Sequence, residues 1–208
     1  MLFRPGATAV FNSRISVIRT GLSNFYIYDT GDTLIAFDTG MNPMLCRRGL
    51  DKLDIDANRV SHIFLTHSDY DHAGGLSVFK NAQSYISEKE VPMVTGKKPR
   101  LLFIPNRRRS DYTALKNREQ VAVGRSVVEI IEAPGHTPGS ACYIVDNYAM
   151  ATGDLLRIGS NGEKIPFLFL QNMSHSENKN TLEQFKKERI FDRVSFLLTG
   201  HSGAANAQ

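Results

Sequence analysis

The chain has 208 residues, of which 41% are hydrophobic and 22% are charged, and its formal net charge is +4. This composition predicts a globular chain with a sizeable core and excludes a disordered or fibrous one. The charge bias is mild and excludes no class of partner by itself, because its position along the chain matters more than its size.

The N-terminus and the cysteines bear on the cellular compartment. Residues 1–6 lack the apolar core of a signal peptide. No apolar run approaches the roughly 18 residues that a membrane-spanning helix needs. Two cysteines, Cys46 and Cys142, are fewer than a secreted disulfide scaffold would have and are read as small apolar side chains. We therefore expect a cytoplasmic protein with no membrane partner.

The N-terminal part predicts strands followed by one helix. Three β-rich runs are read as strands, at residues 15–18, 24–28 and 33–37. A turn signal at residues 29–32 joins the last two into a hairpin. Asp38 follows the third strand and is either catalytic or, as we favour, a brace for the neighbouring loop. Pro43 then starts a helix that continues to about Leu53.

A strand at residues 61–65 leads into the stretch around which the chain is organised, Thr66-His67-Ser68-Asp69-Tyr70-Asp71-His72-Ala73-Gly74-Gly75. Four side chains that can ligate a metal lie within six positions: His67, Asp69, Asp71 and His72. We interpret the stretch as a turn after a buried strand, followed by the first turn of a helix. Imidazole and carboxylate together suit zinc, iron or manganese, so the stretch predicts a metal site rather than a polar loop.

Strands and helices alternate through the rest of the chain, which predicts an α/β fold. Ser87 and Glu90 have capping-box spacing and predict a short helix after a strand at residues 82–86. A second helix is expected at residues 182–189. Further strands are expected at residues 121–123, 127–131, 142–145, 148–151 and 195–198. Three polar residues, each of a type that can ligate a metal, follow strand-like runs and have glycine immediately before them: His136, Asp154 and His201.

Residues 97–118 depart from regular structure. They carry eight basic side chains and a single acid, together with an apolar run at residues 101–104. A solvated basic loop is one interpretation, because most charge runs are solvated. The other is a basic lid over the active site, and the apolar run favours it, because a purely solvated loop has no reason to carry such residues.

The stretch around His67 closely resembles the T-H-x-H-x-D-H-x-G-G signature of the metallo-β-lactamase superfamily, with Asp69 where the family usually has its second histidine. The order and spacing of His136, Asp154 and His201 match as well. The resemblance implies one domain over residues 1–208, folded as a four-layer αββα sandwich of two mixed β-sheets with the metals at one edge. It also implies that residues 97–118 form a lid insertion, whose candidate substrate-binding residues are Arg107, Arg108 and Arg109.

Seven side chains are the ligands that the family pattern implies: His67, Asp69 and His136 on the first metal, Asp71, His72 and His201 on the second, and Asp154 bridging both. The expected cofactor is two divalent ions, zinc first, with manganese or iron as alternatives. A water or hydroxide between the metals attacks the substrate, and Asp71 steers it or accepts its proton.

Asp69 changes the expected electrostatics of this centre. An ionised Asp69 makes the site more negative than the usual histidine does, which weakens its Lewis acidity and favours harder ions. The alternative is that the side chain is too short to reach and that only one metal is bound tightly.

Three functions remain open on the sequence. The first is hydrolysis of a small-molecule ester, thioester or lactone, as in glyoxalase-II-like enzymes and lactonases. The second is phosphodiester or nucleic-acid hydrolysis; the basic stretch favours it, but few aromatic residues accompany that stretch. The third is diiron redox chemistry or oxygen sensing, as in flavodiiron proteins, whose flavodoxin domain has no room in this chain. We predict the first, with a small-molecule substrate that is anionic if the basic stretch faces the site. No oligomeric state follows from the sequence.

Overall fold

The computed structural model describes residues 3–100 and 111–208. The strands in these ranges are β1 (Ala9–Val10), β2 (Ile15–Thr20), β3 (Ser23–Asp29), β4 (Leu34–Phe37), β5 (Val60–Phe64), β6 (Gln83–Ser87), β7 (Tyr112–Leu115), β8 (Gln120–Val123), β9 (Ser126–Glu132), β10 (Ala141–Val145), β11 (Ala149–Gly153), β12 (Leu156–Ile158), β13 (Lys164–Pro166), β14 (Phe196–Thr199) and β15 (Gly203–Asn206). The helices are α1 (Pro43–Asp51), α2 (Tyr70–Ala73), α3 (Val91–Val94) and α4 (His175–Lys187). Short 3₁₀ turns lie at Ala57–Arg59, Leu76–Val78, Glu88–Glu90, Phe169–Gln171 and Ile190–Arg193.

The strands form two large mixed sheets. The first has the order β1-β2-β3-β4-β5-β6-β7, antiparallel up to β4 and parallel from β4 to β7. The second has the order β15-β14-β11-β10-β9-β8, in which only the β11–β14 pair is parallel among the described strands. A separate two-stranded sheet pairs β12 with β13.

Three hydrophobic clusters give the molecule four layers. The central cluster joins the facing sides of the two sheets, with Phe37 and Phe64 from the first and Tyr143 from the second. A second cluster packs the outer side of the first sheet against α1, and a third packs the outer side of the second sheet against α4. Burial of both faces of each sheet requires covering helices. The predicted αββα sandwich is therefore confirmed.

The helix starts follow local capping chemistry, which also corrects one prediction. Asn42 caps α1 by accepting a hydrogen bond from the Leu45 N–H, and Pro43 occupies the first turn as predicted. The last helix was expected at residues 182–189 with a start at Asn180 or Thr181. It begins instead at His175, because the Ser174 hydroxyl accepts from the Glu177 N–H and caps the helix there.

Strand β7 is a second correction, because it lies within the stretch 97–118 that the sequence predicts to be irregular. It pairs in parallel with β6 at the edge of the first sheet. Leu115 enters the central core, and Tyr112 packs against the outer cluster. Among the described residues, none of the helices has the length and hydropathy of a membrane span.

Four strands deliver the polar residues of the candidate site to one edge of the sandwich. Asp38 follows β4, and Thr66 and His67 come just after β5. These two strands are parallel neighbours, so their carboxyl ends lie together. In the second sheet, β11 and β14 are also parallel and end just before Asp154 and His201. The polar ends of both sheets therefore meet.

Candidate metal centre

Asp38 holds the polar stretch that follows β5. Its Oδ1 accepts from the Thr66 backbone N–H at 2.8 Å, and its Oδ2 accepts from the Thr66 hydroxyl at 2.9 Å and from His72 Nδ1 at 2.8 Å. Its backbone φ is 61°, in the left-handed region that non-glycine residues rarely adopt. The three donors hold the residue in this conformation. These contacts are those of a brace, the role that we favoured from the sequence.

The four histidines of the centre share one orientation, in which Nδ1 faces an acceptor and Nε2 faces inwards. Each acceptor identifies the protonated nitrogen, so the Nε2 lone pairs are left to bind a metal. The Nδ1 acceptors are Thr66 Oγ1 for His67 (3.0 Å), Asp38 Oδ2 for His72 (2.8 Å), Asn172 Oδ1 for His136 (3.2 Å) and the Leu22 carbonyl for His201 (2.6 Å). The Thr66 hydroxyl can accept from His67 because its own proton goes to Asp38.

Six of the predicted ligands come together as two groups, each with its ligand atoms within 4.8 Å of one another: His67, His136 and Asp154, and Asp71, His72 and His201. Ligand atoms on one tetrahedral ion at about 2.1 Å are separated by about 3.4 Å. In the second group, Asp71 Oδ2 lies 3.3 Å from His201 Nε2 and 3.7 Å from His72 Nε2, and the two Nε2 atoms are 3.5 Å apart. The group therefore has the spacing that a zinc-sized ion requires.

Asp154 faces both groups. Its Oδ2 lies 3.5 Å from His136 Nε2 and 3.2 Å from His201 Nε2, and its Oδ1 lies 3.5 Å from His72 Nε2. Asp154 Oδ1 and His67 Nε2 are buried atoms that have no hydrogen-bond partner within the described part of the chain. A buried polar atom without a partner is costly, and a metal ion would satisfy both atoms. The donor set therefore fits divalent metal ions.

Asp69 lies beside the first of these groups. Its Oδ2 is 3.1 Å from His136 Nε2 and 3.7 Å from His67 Nε2. Its two carboxylate oxygens also accept from Arg100 Nε, at 3.0 and 2.8 Å. Burial alone would raise the pKa of Asp69, but its contact with the His136 imidazole and the neighbouring charges, that of Arg100 among them, lower the pKa far below its usual range. The side chain is thus long enough to bring an ionised oxygen to both histidines.

Burial and neighbouring charges also shift the pKa values of three other residues of the centre. The pKa values of His67 and Asp154 are lowered, and that of His201 is raised. Burial lowers the pKa of His67 well below its ordinary value. Burial acts in the same sense on His201, but the carboxylates of Asp154 and Asp71 outweigh it and raise the pKa to about 9. Burial alone would raise the pKa of Asp154, but the charges of His201 and neighbouring histidines hold it well below the usual range. The carboxylates are therefore ionised, which is the form that ligates metal.

Two glycines let these side chains approach one another. Gly153 has a φ of +48°, and a Cβ there would stand 2.5 Å from Thr66 Oγ1. A Cβ on Gly200 would overlap Asp154 Oδ1 and stand 2.7 Å from His72 Cε1. Both glycines immediately precede a candidate ligand. The absence of a Cβ at these positions lets the residues of the centre pack closely, in addition to allowing the turns.

Glu90 ties two ligand-bearing loops together, a role that the sequence did not indicate. Its Oε1 accepts from the Ser68 N–H at 3.0 Å and from the Ser68 hydroxyl at 2.6 Å, and its Oε2 accepts from the Thr137 hydroxyl at 2.7 Å. Ser68 follows His67, and Thr137 follows His136. The capping-box spacing drew attention to Glu90 as a helix cap, whereas its buried side chain reaches across to these loops.

Arg100 was also missed, because nothing distinguishes it from the other basic residues of 97–118. The candidate substrate-binding residues Arg107, Arg108 and Arg109 lie outside the described residues, as does the apolar run 101–104. Their roles stay predictions. Arg100, at the start of this stretch, does enter the site, which supports the lid interpretation at that position.

The fold and the ligand set together define a metal-dependent hydrolase of the αββα type. Two sheets meet at an edge where imidazole and carboxylate ligands converge, and the comparisons with known proteins agree. The chain belongs to the metallo-β-lactamase superfamily, whose family model matches residues 18–201.

Several relatives of this chain are named as hydrolases. A probable metallo-hydrolase of Methanocaldococcus jannaschii is 30% identical over 171 residues, covering 81% of this chain and 71% of the relative. The hydroxyacylglutathione hydrolase of Rhodospirillum rubrum is 30% identical over 136 residues, covering 65% of this chain and 49% of that enzyme. A probable polyketide biosynthesis zinc-dependent hydrolase of Bacillus velezensis is 32% identical, covering 50% of this chain and 41% of the relative. The match thus spans half or less of the last two.

Solved structures support the fold. A B3 metallo-β-lactamase described as having an active-site glutamic acid superposes with a TM-score of 0.71 over 99% of this chain and 85% of its own. The sequence identity is 17%, so this likeness bears on the fold alone.

Proposed function

We propose that the chain hydrolyses a small-molecule thioester or ester at a centre of two divalent ions, most favourably zinc. The observation that carries the proposal is Asp154, whose carboxylate lies between two groups of ligands. Four imidazoles with carboxylates suit zinc. The named relatives add support, because hydroxyacylglutathione is a thioester and one polyketide relative is called zinc-dependent.

The chemistry divides between the ions and the protein. When bound, divalent ions supply Lewis acidity and lower the pKa of a coordinated water. The protein holds the imidazoles in the ligating tautomer through their Nδ1 partners. Asp154 and Asp69 contribute negative charge, and their side chains are only 4% and 15% exposed.

We assign Asp71 the role of general base. Its side chain is 30% exposed, more than the other two carboxylates of the centre, so solvent and substrate reach it most readily. Its Oδ2 lies beside His201 Nε2, and the other lone pairs of the carboxylate remain able to accept from a water molecule. Asp71 would orient the attacking water and take its proton, as a general base must do within hydrogen-bonding reach.

Apolar side chains surround the outer part of the centre. The buried Phe167 ring contacts the rings of His136 and His201, with both centroid distances at 5.2 Å. The Phe3 ring packs against His201 in a tilted arrangement at 4.6 Å. Phe169 and Leu170 follow closely in the chain and are 67% and 88% exposed. Exposed apolar side chains that closely follow a residue in contact with the centre suit the acyl part of a substrate. We therefore infer an acyl thioester or ester rather than a small polar one.

A matched substrate panel tests this function. Metal-stripped protein would be reloaded with zinc, manganese or iron(II) and assayed on a thioester, an oxygen ester, a lactone and a phosphodiester. We expect metal-dependent cleavage of the acyl substrates, which is lost in Asp154→Ala and reduced at least about a hundredfold in kcat in Asp71→Asn. Faster cleavage of the phosphodiester would refute the substrate class. Absence of hydrolysis with every metal, or redox activity of the iron form alone, would refute the hydrolase.

A further inference from the structure

Arg100 is a partly buried cation in direct contact with the candidate metal centre. Its side chain is 11% exposed, and Nε donates to both oxygens of Asp69. Its Nη2 lies 3.3 Å from His136 Nε2 and donates to the Gln171 carbonyl. The guanidinium therefore contacts two predicted ligands of the same metal position, and both contacts use the atoms that face the centre.

The position of Arg100 changes the charge balance of the site. Counted alone, Asp69 makes the centre one charge more negative than a neutral histidine would. Arg100 returns one positive charge within hydrogen-bonding distance of that carboxylate. This ion pair is largely removed from solvent, with side-chain exposures of 11% and 15%, so solvent screens it only in part and the compensation acts close to the metal position. The expectation of a weakened Lewis acid, drawn from Asp69 without Arg100, therefore loses its basis.

We propose that Arg100 is the internal counter-ion of Asp69, and that the guanidinium and the metal ion beside His67 and His136 share this carboxylate. Arg100 is then a positioning residue that sets the affinity of one metal position. It acts through its charge and through the two ligands that it contacts, and it does not touch the reacting atoms. This inference rests on the metal centre of the proposed function and adds the residue that tunes it.

Replacing Arg100 and replacing Asp69 should change the metal affinity in opposite directions. Arg100→Ala removes a cation that competes for Asp69, so the more weakly held ion should bind at least about tenfold more tightly. Asp69→His leaves Arg100 beside the ions with no carboxylate to balance it, so that ion should bind at least about tenfold more weakly. In the double variant both charges are gone, and the affinity should return to within about threefold of wild type.

The experiment is a double-variant cycle read by metal affinity, not by activity. Zinc and manganese affinities of the full-length protein would be measured by competition with a chromophoric chelator, for wild type, the two single variants, the double variant and Arg100→Lys. Arg100→Lys keeps the charge without the planar guanidinium and should stay closer to wild type than Arg100→Ala does. Arg59→Ala removes an exposed arginine elsewhere and is the matched control. Thermal unfolding would show that each variant is folded.

The outcomes separate this inference from the proposed function. If wild type binds two ions but Arg100→Ala does not bind the weaker ion more tightly, or if Asp69→His alone binds as tightly as the double variant, the counter-ion role is wrong and the metal centre stands. If folded wild type binds no divalent ion, the proposed function fails together with the inference. Tighter binding in Arg100→Ala, weaker binding in Asp69→His and near-wild-type affinity in the double variant together support the pair.

Discussion

Glu90 offers a test of how the centre is assembled, because it joins the loops that carry His67 and His136. Glu90→Ala removes the acceptor of three buried donors: the Ser68 N–H, the Ser68 hydroxyl and the Thr137 hydroxyl. The Thr137 hydroxyl can turn to Ser140 Oγ, 2.8 Å away, but the backbone N–H of Ser68 cannot turn. A buried donor without a partner costs roughly 1–3 kcal/mol, and the vacated volume adds to it. We expect a loss of about 3 kcal/mol.

The conservative substitution Glu90→Gln separates the effect of side-chain shape on stability from the effect of charge. Burial raises the pKa of Glu90, although its hydrogen bonds with Ser68 and Thr137 act in the opposite sense. A carboxyl group with a raised folded pKa contributes stability that is present below its unfolded pKa and is lost as pH rises through the folded value. Glu90→Gln keeps one acceptor oxygen and carries no charge. Its stability relative to wild type should therefore improve as pH rises from about 4 to 7.

Urea denaturation of chelator-treated protein measures both effects, and Lys89→Ala is the control on the same turn. The Lys89–Glu132 pair is at the surface and should contribute less than about 1 kcal/mol. A loss of about 3 kcal/mol in Glu90→Ala corresponds to a fall of roughly 6–12 °C in Tm for a chain of this size. Glu90→Ala could prove as stable as Lys89→Ala and could keep the wild-type metal content before chelator treatment. That result would refute the assignment of Glu90 as the residue that joins the loops.

The remaining predictions concern the centre itself. Asp154→Ala should leave less than one ion per chain by elemental analysis, and a folded variant that keeps two ions would contradict the bridge. Gly200→Ala should also lose metal, because its Cβ would collide with Asp154 and His72; metal content at the wild-type level would show that the turn relaxes at little cost. Asp38→Asn turns an acceptor into a donor facing His72 or Thr66 and should lower zinc affinity at least tenfold, with unchanged affinity counting against the brace.

Local patterns in the sequence account for much of the fold and for the groups of ligands. The runs 15–18, 24–28 and 33–37 correspond to β2, β3 and β4, because their alternation and turn signals are local properties. Six predicted ligands lie together. Three of them, His67, Asp154 and His201, closely follow strands that have a parallel neighbour, and parallel strands bring their carboxyl ends to one edge. The start of α4 was missed, since the apolar face that marks this helix begins well after its serine cap.

Other features depend on contacts between distant parts of the chain and leave no local signal. Arg100 meets Asp69 across 31 positions, and Glu90 meets Thr137 across 47. A basic residue among basic residues and a glutamate at a capping position both have ordinary local explanations. Only the packing of the two sheets shows that these side chains reach the centre. The strand β7 was hidden for the same reason, because its pairing with β6 organises a stretch that has little periodicity of its own.

The central claim is that this edge of the sandwich holds two divalent ions. A crystal structure of the zinc-loaded protein, with anomalous maps collected above and below the zinc absorption edge, tests it most directly. Two zinc peaks should appear, one in contact with His67, His136 and Asp154, and the other with Asp71, His72 and His201, with Asp154 touching both. A fully loaded protein with a single peak, or with peaks away from these side chains, would contradict the account.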